Sequence, residues 1–193
     1  MIRALYEWTI RLAEHPRALW ALAIVSFVES SFFPIPPDIL MIPMILAAPR
    51  RAFLIATVAT ISSVLGGMFG YWIGSALFDQ LGLPILEFYG KTENFEVFRQ
   101  TYNEWGAWAV LIAGVTPFPY KVVTILSGST GLDLMVFTIA SILARGLRFF
   151  VVAALLWKFG QPIRDFIERR LGLMFTLFVV LLLGGFLALR AFG

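Results

Sequence analysis

The sequence predicts an all-α integral membrane protein: two re-entrant helical hairpins in an inverted repeat, plus about three transmembrane helices. Three observations carry that prediction. The composition is 60% hydrophobic and 14% charged, with a mean hydropathy of +0.86, too apolar for a soluble domain of this size. Proline clusters, Pro34-Ile-Pro-Pro37 and Pro117-Phe-Pro119, interrupt two apolar stretches that would otherwise be plain spans. Elsewhere the chain carries uninterrupted apolar segments of the length that about 30 Å of hydrocarbon requires.

The chain reads as a single membrane domain, residues 1–193. In 1–16, Ile2, Leu5 and Leu12 fall at helical spacing with Arg3, Glu7, Arg11 and Glu14 on the other faces, which predicts an interfacial amphipathic helix. Residues 18–49 predict the first re-entrant hairpin, because neither apolar half reaches the ~20 residues of a span and Pro34, Pro36 and Pro37 break the helical ladder between them. Residues 52–78 predict a transmembrane helix whose Ser62, Gly66, Gly70 and Gly74 form a small-residue stripe suited to close helix packing. That stripe could serve an intrachain contact or a homo-oligomer.

Residues 80–104 mix Glu87, Lys91, Glu93, Glu96, Arg99 and Glu104 with aromatic side chains, as expected of an amphipathic connector, with a helix starting near Pro84. Residues 105–130 repeat the hairpin theme around Pro117 and Pro119. Residues 133–158 and 171–190 predict two further transmembrane helices. With the N-terminus in the cytoplasm, Arg3, Arg11, Arg17, Arg50, Arg51, Lys158, Arg164, Arg169 and Arg170 are all cytoplasmic, leaving Lys91, Arg99 and Arg190 outside. This obeys the positive-inside rule. The two halves then enter from opposite faces, which is a transporter plan.

Five ionisable residues fall at membrane depth on this topology: Glu29, Asp38, Lys121, Arg145 and Arg148. A charge there costs about 2.5–3.5 kcal/mol on insertion scales, so such residues face a polar cavity or a partner charge. The acids lie in the first half and the bases in the second, which predicts that they meet across the centre. Their sum is positive, and arginine holds phosphate oxygens bidentately, so the expected guest is an anion with a lipid phosphate closest at hand. Simpler readings stand beside this one: Asp38 as a helix cap, Arg148 and Lys121 snorkelling to the headgroups, and Glu29 with Arg145 as a pair that only fixes packing.

Several classes are excluded or disfavoured. There is no cysteine, and the single histidine, His15, lies in a charged segment near the N-terminus, so thiolate- and histidine-based catalysis have little to work with. No catalytic residue, metal ligand or cofactor is expected. The net charge of +3 is scattered among apolar runs, so nucleic acid is an unpromising partner. A removable signal peptide is not expected either, because Glu7 and Glu14 interrupt the N-terminal segment.

The stretches Phe27-Val-Glu-Ser-Ser-Phe-Phe-Pro-Ile-Pro-Pro-Asp38, Gly66-Gly-Met-Phe-Gly-Tyr-Trp-Ile-Gly74, Thr116-Pro-Phe-Pro-Tyr-Lys-Val-Val-Thr-Ile-Leu-Ser-Gly128 and Ala144-Arg-Gly-Leu-Arg148 resemble the DedA family, also described as the VTT or SNARE-associated Golgi protein family, and most closely its YqaA-like branch. The resemblance covers about residues 20–160. It implies two re-entrant hairpins meeting in the bilayer and a lipid-translocating activity, linked in bacterial members to undecaprenyl phosphate or phosphatidylethanolamine and to the proton-motive force. It also implies a proton-coupling role for Glu29 and Asp38. One departure is visible: the family's second hairpin usually carries two arginines, whereas here the first has no counterpart around Gly114–Thr116 and the second is Lys121.

The expectation is a flippase for a phosphate-bearing lipid in a bacterial inner membrane, with Lys121, Arg145 and Arg148 on the phosphate and Glu29 and Asp38 exchanging protons. The alternatives are a proton-coupled small-ion transporter, a non-catalytic membrane scaffold and an intramembrane lipid-modifying enzyme.

Overall fold

Seven α-helices follow one another in a computed structural model that describes residues 17–33, 36–116, 119–160 and 162, and no strand occurs among them. The expected interfacial helix 1–16, the expected last span 171–190, and the turn residues Pro34 and Pro117 lie outside the described residues.

Helix α1 (Ala18–Ser31) and helix α2 (Asp38–Ala47) flank the first proline cluster. At the end of α1 the amides of Phe32 and Phe33 both turn back to the Val28 carbonyl. Helix α2 begins at once after Pro37, whose fixed φ suits a helix start and whose carbonyl accepts from Leu40 and Met41 at 3.0 and 2.9 Å. A single turn at Pro49–Arg51 leads into α3 (Ala52–Leu77), a helix of 26 residues.

The helical path then runs through a π turn at Phe78–Gly82 into α4 (Leu83–Phe88). It stops at Gly90, which holds φ +62° while Gly90 and Lys91 donate back to Glu87 and Leu86, a glycine-terminated helix end. Helix α5 (Thr92–Val115) follows, then α6 (Tyr120–Thr130), which ends at a left-handed Gly131. Helix α7 (Leu134–Gly160) is started by Asp133, whose carboxylate accepts the Val136 amide at 2.9 Å.

A helix does start near Pro84, which sits in the first turn of α4 where its missing N–H costs little, with a π turn joining it to α3. The connector differs from expectation in one way: the segment before Trp105 does not end there. It is continuous with the first arm of the second hairpin as one 24-residue helix, because no breaker lies between Thr92 and Thr116.

Helix α3 is the axis of the packing. Its glycines bring two backbones into direct contact: a Cβ at Gly66 would strike the Phe27 carbonyl of α1, one at Gly70 the Thr124 side chain, and one at Gly74 the Ile125 carbonyl of α6. Gly128 of α6 returns the contact against the Tyr71 carbonyl. The small-residue stripe therefore serves an intrachain seam, with α1 and α6 laid on the same helix.

Two apolar clusters complete the body. Leu22, Met41, Ile45, Ile55, Ala59, Phe149 and Ala153 join α1, α2, α3 and α7. Val110, Tyr120, Val123, Phe137 and Ala140 join α5, α6 and α7. Helix α3 packs on α1, α2 and α6, and α7 packs on α2, α5 and α6, with Gly114 of α5 against Ala144. The outer surface stays apolar, with Trp20, Ile24, Trp72, Ile112, Met135 and Leu143 each about half exposed or more. Two helical paths, Pro49–Phe88 and Leu134–Gly160, are long and apolar enough to cross a membrane.

Candidate functional site: two ion pairs between the first hairpin and α7

Arg145 and Arg148 lie three residues apart on α7 and so share a face of that helix. Glu29 stands in the last turn of α1, and Asp38 is the first residue of α2. The fold brings each acid to one base: Arg145 Nη2 lies 2.8 Å from Glu29 Oε2, and Arg148 Nη2 lies 2.7 Å from Asp38 Oδ2.

The two pairs differ in burial and company. Arg145 is 2% exposed and Glu29 15%, whereas Arg148 and Asp38 are 23% and 21% exposed. The Arg145 guanidinium is held between the Tyr120 and Phe149 rings, 4.8 and 4.7 Å from their centroids, a cation–π sandwich that stands in for lost hydration. Its Nε donates to Ser63 Oγ at 2.6 Å. Ser30 Oγ donates to Glu29 Oε2 at 3.1 Å and shares a hydrogen with Ser63 Oγ at 2.7 Å. Because Ser30 gives its proton to the carboxylate, Ser63 must give its own to Ser30. A line of donors therefore runs from Arg145 through two serines to Glu29, each bond polarising the next.

Arg148 has a different second partner. Its Nη1 donates to the Thr116 carbonyl at 3.0 Å, at the C-terminal end of α5 where the ladder has run out and Pro117 and Pro119 offer no N–H. Helix α6 is also tied to α1, by Thr124 Oγ1 donating to the Ser30 carbonyl at 3.0 Å. Tyr120 donates its hydroxyl to Ser141.

Lys121 is not drawn into either pair. It occupies the first turn of α6, half-buried, and its ammonium has no hydrogen-bond or ion-pair partner among the described residues. Asp38 does not act as a helix cap, since its carboxylate makes no capping bond and is turned to Arg148 instead. Of the turn prolines, Pro37 is buried and Pro119 immediately precedes α6.

Sequence reasoning missed the groups around the charges: Ser30, Ser63, Tyr120, Phe149 and the Thr116 carbonyl. A hydroxyl within an apolar helix was the available signal for the serines. Ser62 was named only as part of the small-residue stripe, and its neighbour Ser63 is the fully buried residue of the two. Among the described residues no group of three or more acidic, cysteine or histidine side chains could hold a metal ion. A separate cleft of about 260 Å³, lined by Phe78, Leu83 and Phe95 together with Asp79, Glu96 and Arg99, opens beside the π turn.

Comparison with known proteins bears on this arrangement. The VTT domain model matches residues 34–158, which takes in Asp38, Lys121, Arg145 and Arg148. A protein of Haemophilus influenzae described as uncharacterized is 36% identical over 168 residues, 85% of this chain and 87% of that one. An uncharacterized protein of Histophilus somni is 37% identical over the same share of both chains. One from Methanocaldococcus jannaschii is 26% identical over 129 residues, 67% of this chain and 78% of its own. No solved structure matches. With the match spanning most of the chain and the all-helical, lipid-compatible body carrying it, this protein belongs to the VTT-domain, or DedA, family of membrane-associated, transporter-like proteins.

Proposed function

We propose that the protein is a proton-coupled flippase for a phosphate-bearing lipid in a bacterial inner membrane, with its N-terminus in the cytoplasm, and not an enzyme. In this reading α1–α2 and α5–α6 are re-entrant hairpins of an inverted repeat, and α3, α7 and a helix over 171–190 cross the bilayer. Arms α1, α2 and α6 have 14, 10 and 11 residues, about 21, 15 and 16 Å at helical rise, too short to cross ~30 Å of hydrocarbon. Each long helix packs on helices from both sides of the chain, as a pseudo-symmetric body would have it. So does the sequence, where one constant offset carries Pro34 onto Pro117, Pro36 onto Pro119 and Asp38 onto Lys121.

The observation that carries the proposal is the state of Arg145. A fully buried guanidinium has five donors, yet only Nε and Nη2 find oxygen acceptors among the described residues, Ser63 and Glu29. A structural pair would satisfy the remaining donors. In this reading Nη1 is the edge that meets an incoming oxyanion. Lys121, Arg145 and Arg148 then supply positive charge at the hairpin turns, with Glu29 and Asp38 as their resident counter-ions.

Proton coupling follows from competition. Protonating Glu29 or Asp38 removes the resident negative charge and leaves its arginine for the phosphate; deprotonation restores the ion pair and expels the guest. The acyl chains stay in lipid while the headgroup crosses.

The test is translocation of a fluorescent phosphate lipid in proteoliposomes under an imposed pH gradient. Wild type should respond to the gradient, Glu29→Gln should lose that response, and Arg145→Ala should lose translocation. Rates like wild type in both variants would overturn the proposal.

A further inference from the structure

The polar contacts of Arg148 join the residue that opens α2 to the residue that closes α5. Nη2 takes the carboxylate of Asp38, which opens α2 directly after Pro37. Nη1 takes the carbonyl of Thr116, the residue that closes α5 directly before Pro117. A planar guanidinium offers two donor edges at a fixed angle, and lysine cannot copy that fork. Both acceptors need it: Asp38 is a carboxylate in an apolar setting, and the Thr116 carbonyl lies where proline has removed the amides that would otherwise serve it.

We infer that Arg148 is a clamp that holds the two hairpin turns together from α7, and that a phosphate group opens it. A phosphate oxygen competes for the same guanidinium edge as Asp38. Once Asp38 is displaced, the start of α2 keeps no polar bond to Arg148 and can part from the end of α5, while Glu29–Arg145 and Thr124–Ser30 still hold the end of α1. At 23% exposed, Arg148 is the more accessible arginine, so an entering anion meets it before Arg145. The charged groups facing Arg148 are Asp38 from α2 and Arg145 from its own helix, with Lys121 on the neighbouring α6. Arg145 is committed to Glu29 and Ser63. The phosphate trigger rests on the transport reading above; the clamp itself does not.

The chain has no cysteine, so spin labels can be placed cleanly at Ile39→Cys and Val122→Cys, one just past each turn and 57% and 47% exposed. Distances would be read by pulsed electron resonance in a maltoside detergent, which carries no phosphate. Wild type should give one narrow distance. Arg148→Ala and Arg148→Lys should raise the separated population by about tenfold, the equivalent of one charge-assisted hydrogen bond. Asp38→Asn, which leaves the Thr116 contact in place, should give a smaller rise and serves if the arginine variants fail to fold.

Adding phosphatidic acid to wild type should reproduce the separation, and a parallel arm with inorganic phosphate tells whether the phosphate group alone suffices or a lipid must carry it. An unchanged distance in a folded Arg148→Ala protein would overturn the clamp, and no response to either phosphate would overturn its trigger. A label response in a protein that moves no lipid in vesicles would sink the transport reading and leave the clamp standing.

Discussion

Glu29 and Arg145 meet at 2.8 Å although 116 residues separate them. Removing one partner leaves the other charge buried and alone, which costs about 3–5 kcal/mol, whereas replacing both with neutral groups of similar volume is often close to harmless. Arg145→Ala should therefore lower thermal stability in detergent strongly. The double variant Glu29→Gln with Arg145→Met should return to within about 2 kcal/mol of wild type. Stability recovered without translocation would separate a transport role for the pair from a packing role; both recovered together would count against the transport role.

Tyr120 touches the same guanidinium from α6 and also bonds Ser141. Tyr120→Phe keeps the ring and leaves Ser141 without its partner, at about 1 kcal/mol. Tyr120→Leu also strips one face from Arg145 and should cost about 1–2 kcal/mol more. Unfolding midpoints of the two variants measure the difference, and equal midpoints would mean the ring face contributes nothing.

The α3 seam gives a purely steric forecast. A methyl at Gly74 would collide with the Ile125 carbonyl, which cannot move without shifting α6, while one at Gly146 would meet only the Thr60 methyl at an ordinary 3.9 Å. Gly74→Ala should destabilise by about 1–3 kcal/mol. Gly146→Ala should be neutral or slightly stabilising, since alanine is the better helix former. Chemical unfolding followed by circular dichroism reads both.

Lys121 should behave in the opposite way to Arg145. With no partner for its ammonium among the described residues, Lys121→Gln should leave the melting temperature within error. Phosphate-lipid translocation should fall by about tenfold, as expected for one lost charge-assisted contact. A stability loss instead would assign Lys121 a structural bond.

The helical class and the ends of helices at both proline clusters were legible from residue types alone, as was the presence of ionisable side chains within apolar stretches. Apolar runs of a given length, and proline's missing amide, act locally and need no partner to be recognised. The run from Thr92 to Val115 was split wrongly at Trp105, because charge was taken as a boundary. A helix needs no change of backbone to pass from polar to apolar surroundings, so only a true breaker such as Gly90 ends it.

Pairing was a different matter. That acids of the first half would face bases of the second was an electrostatic expectation that Lys121 does not meet, and which acid meets which base was decided by how α7 lies against α1 and α2. The serine relay from Arg145 to Glu29, the ring sandwich and the Thr116 contact arise the same way, from side chains that no sequence spacing brings together. The sequence by itself determined what must be buried and where the ladder must break. The tertiary structure alone decided who satisfies whom, since hydrogen bonds and ion pairs depend on positions within a few tenths of an ångström that only packed helices set.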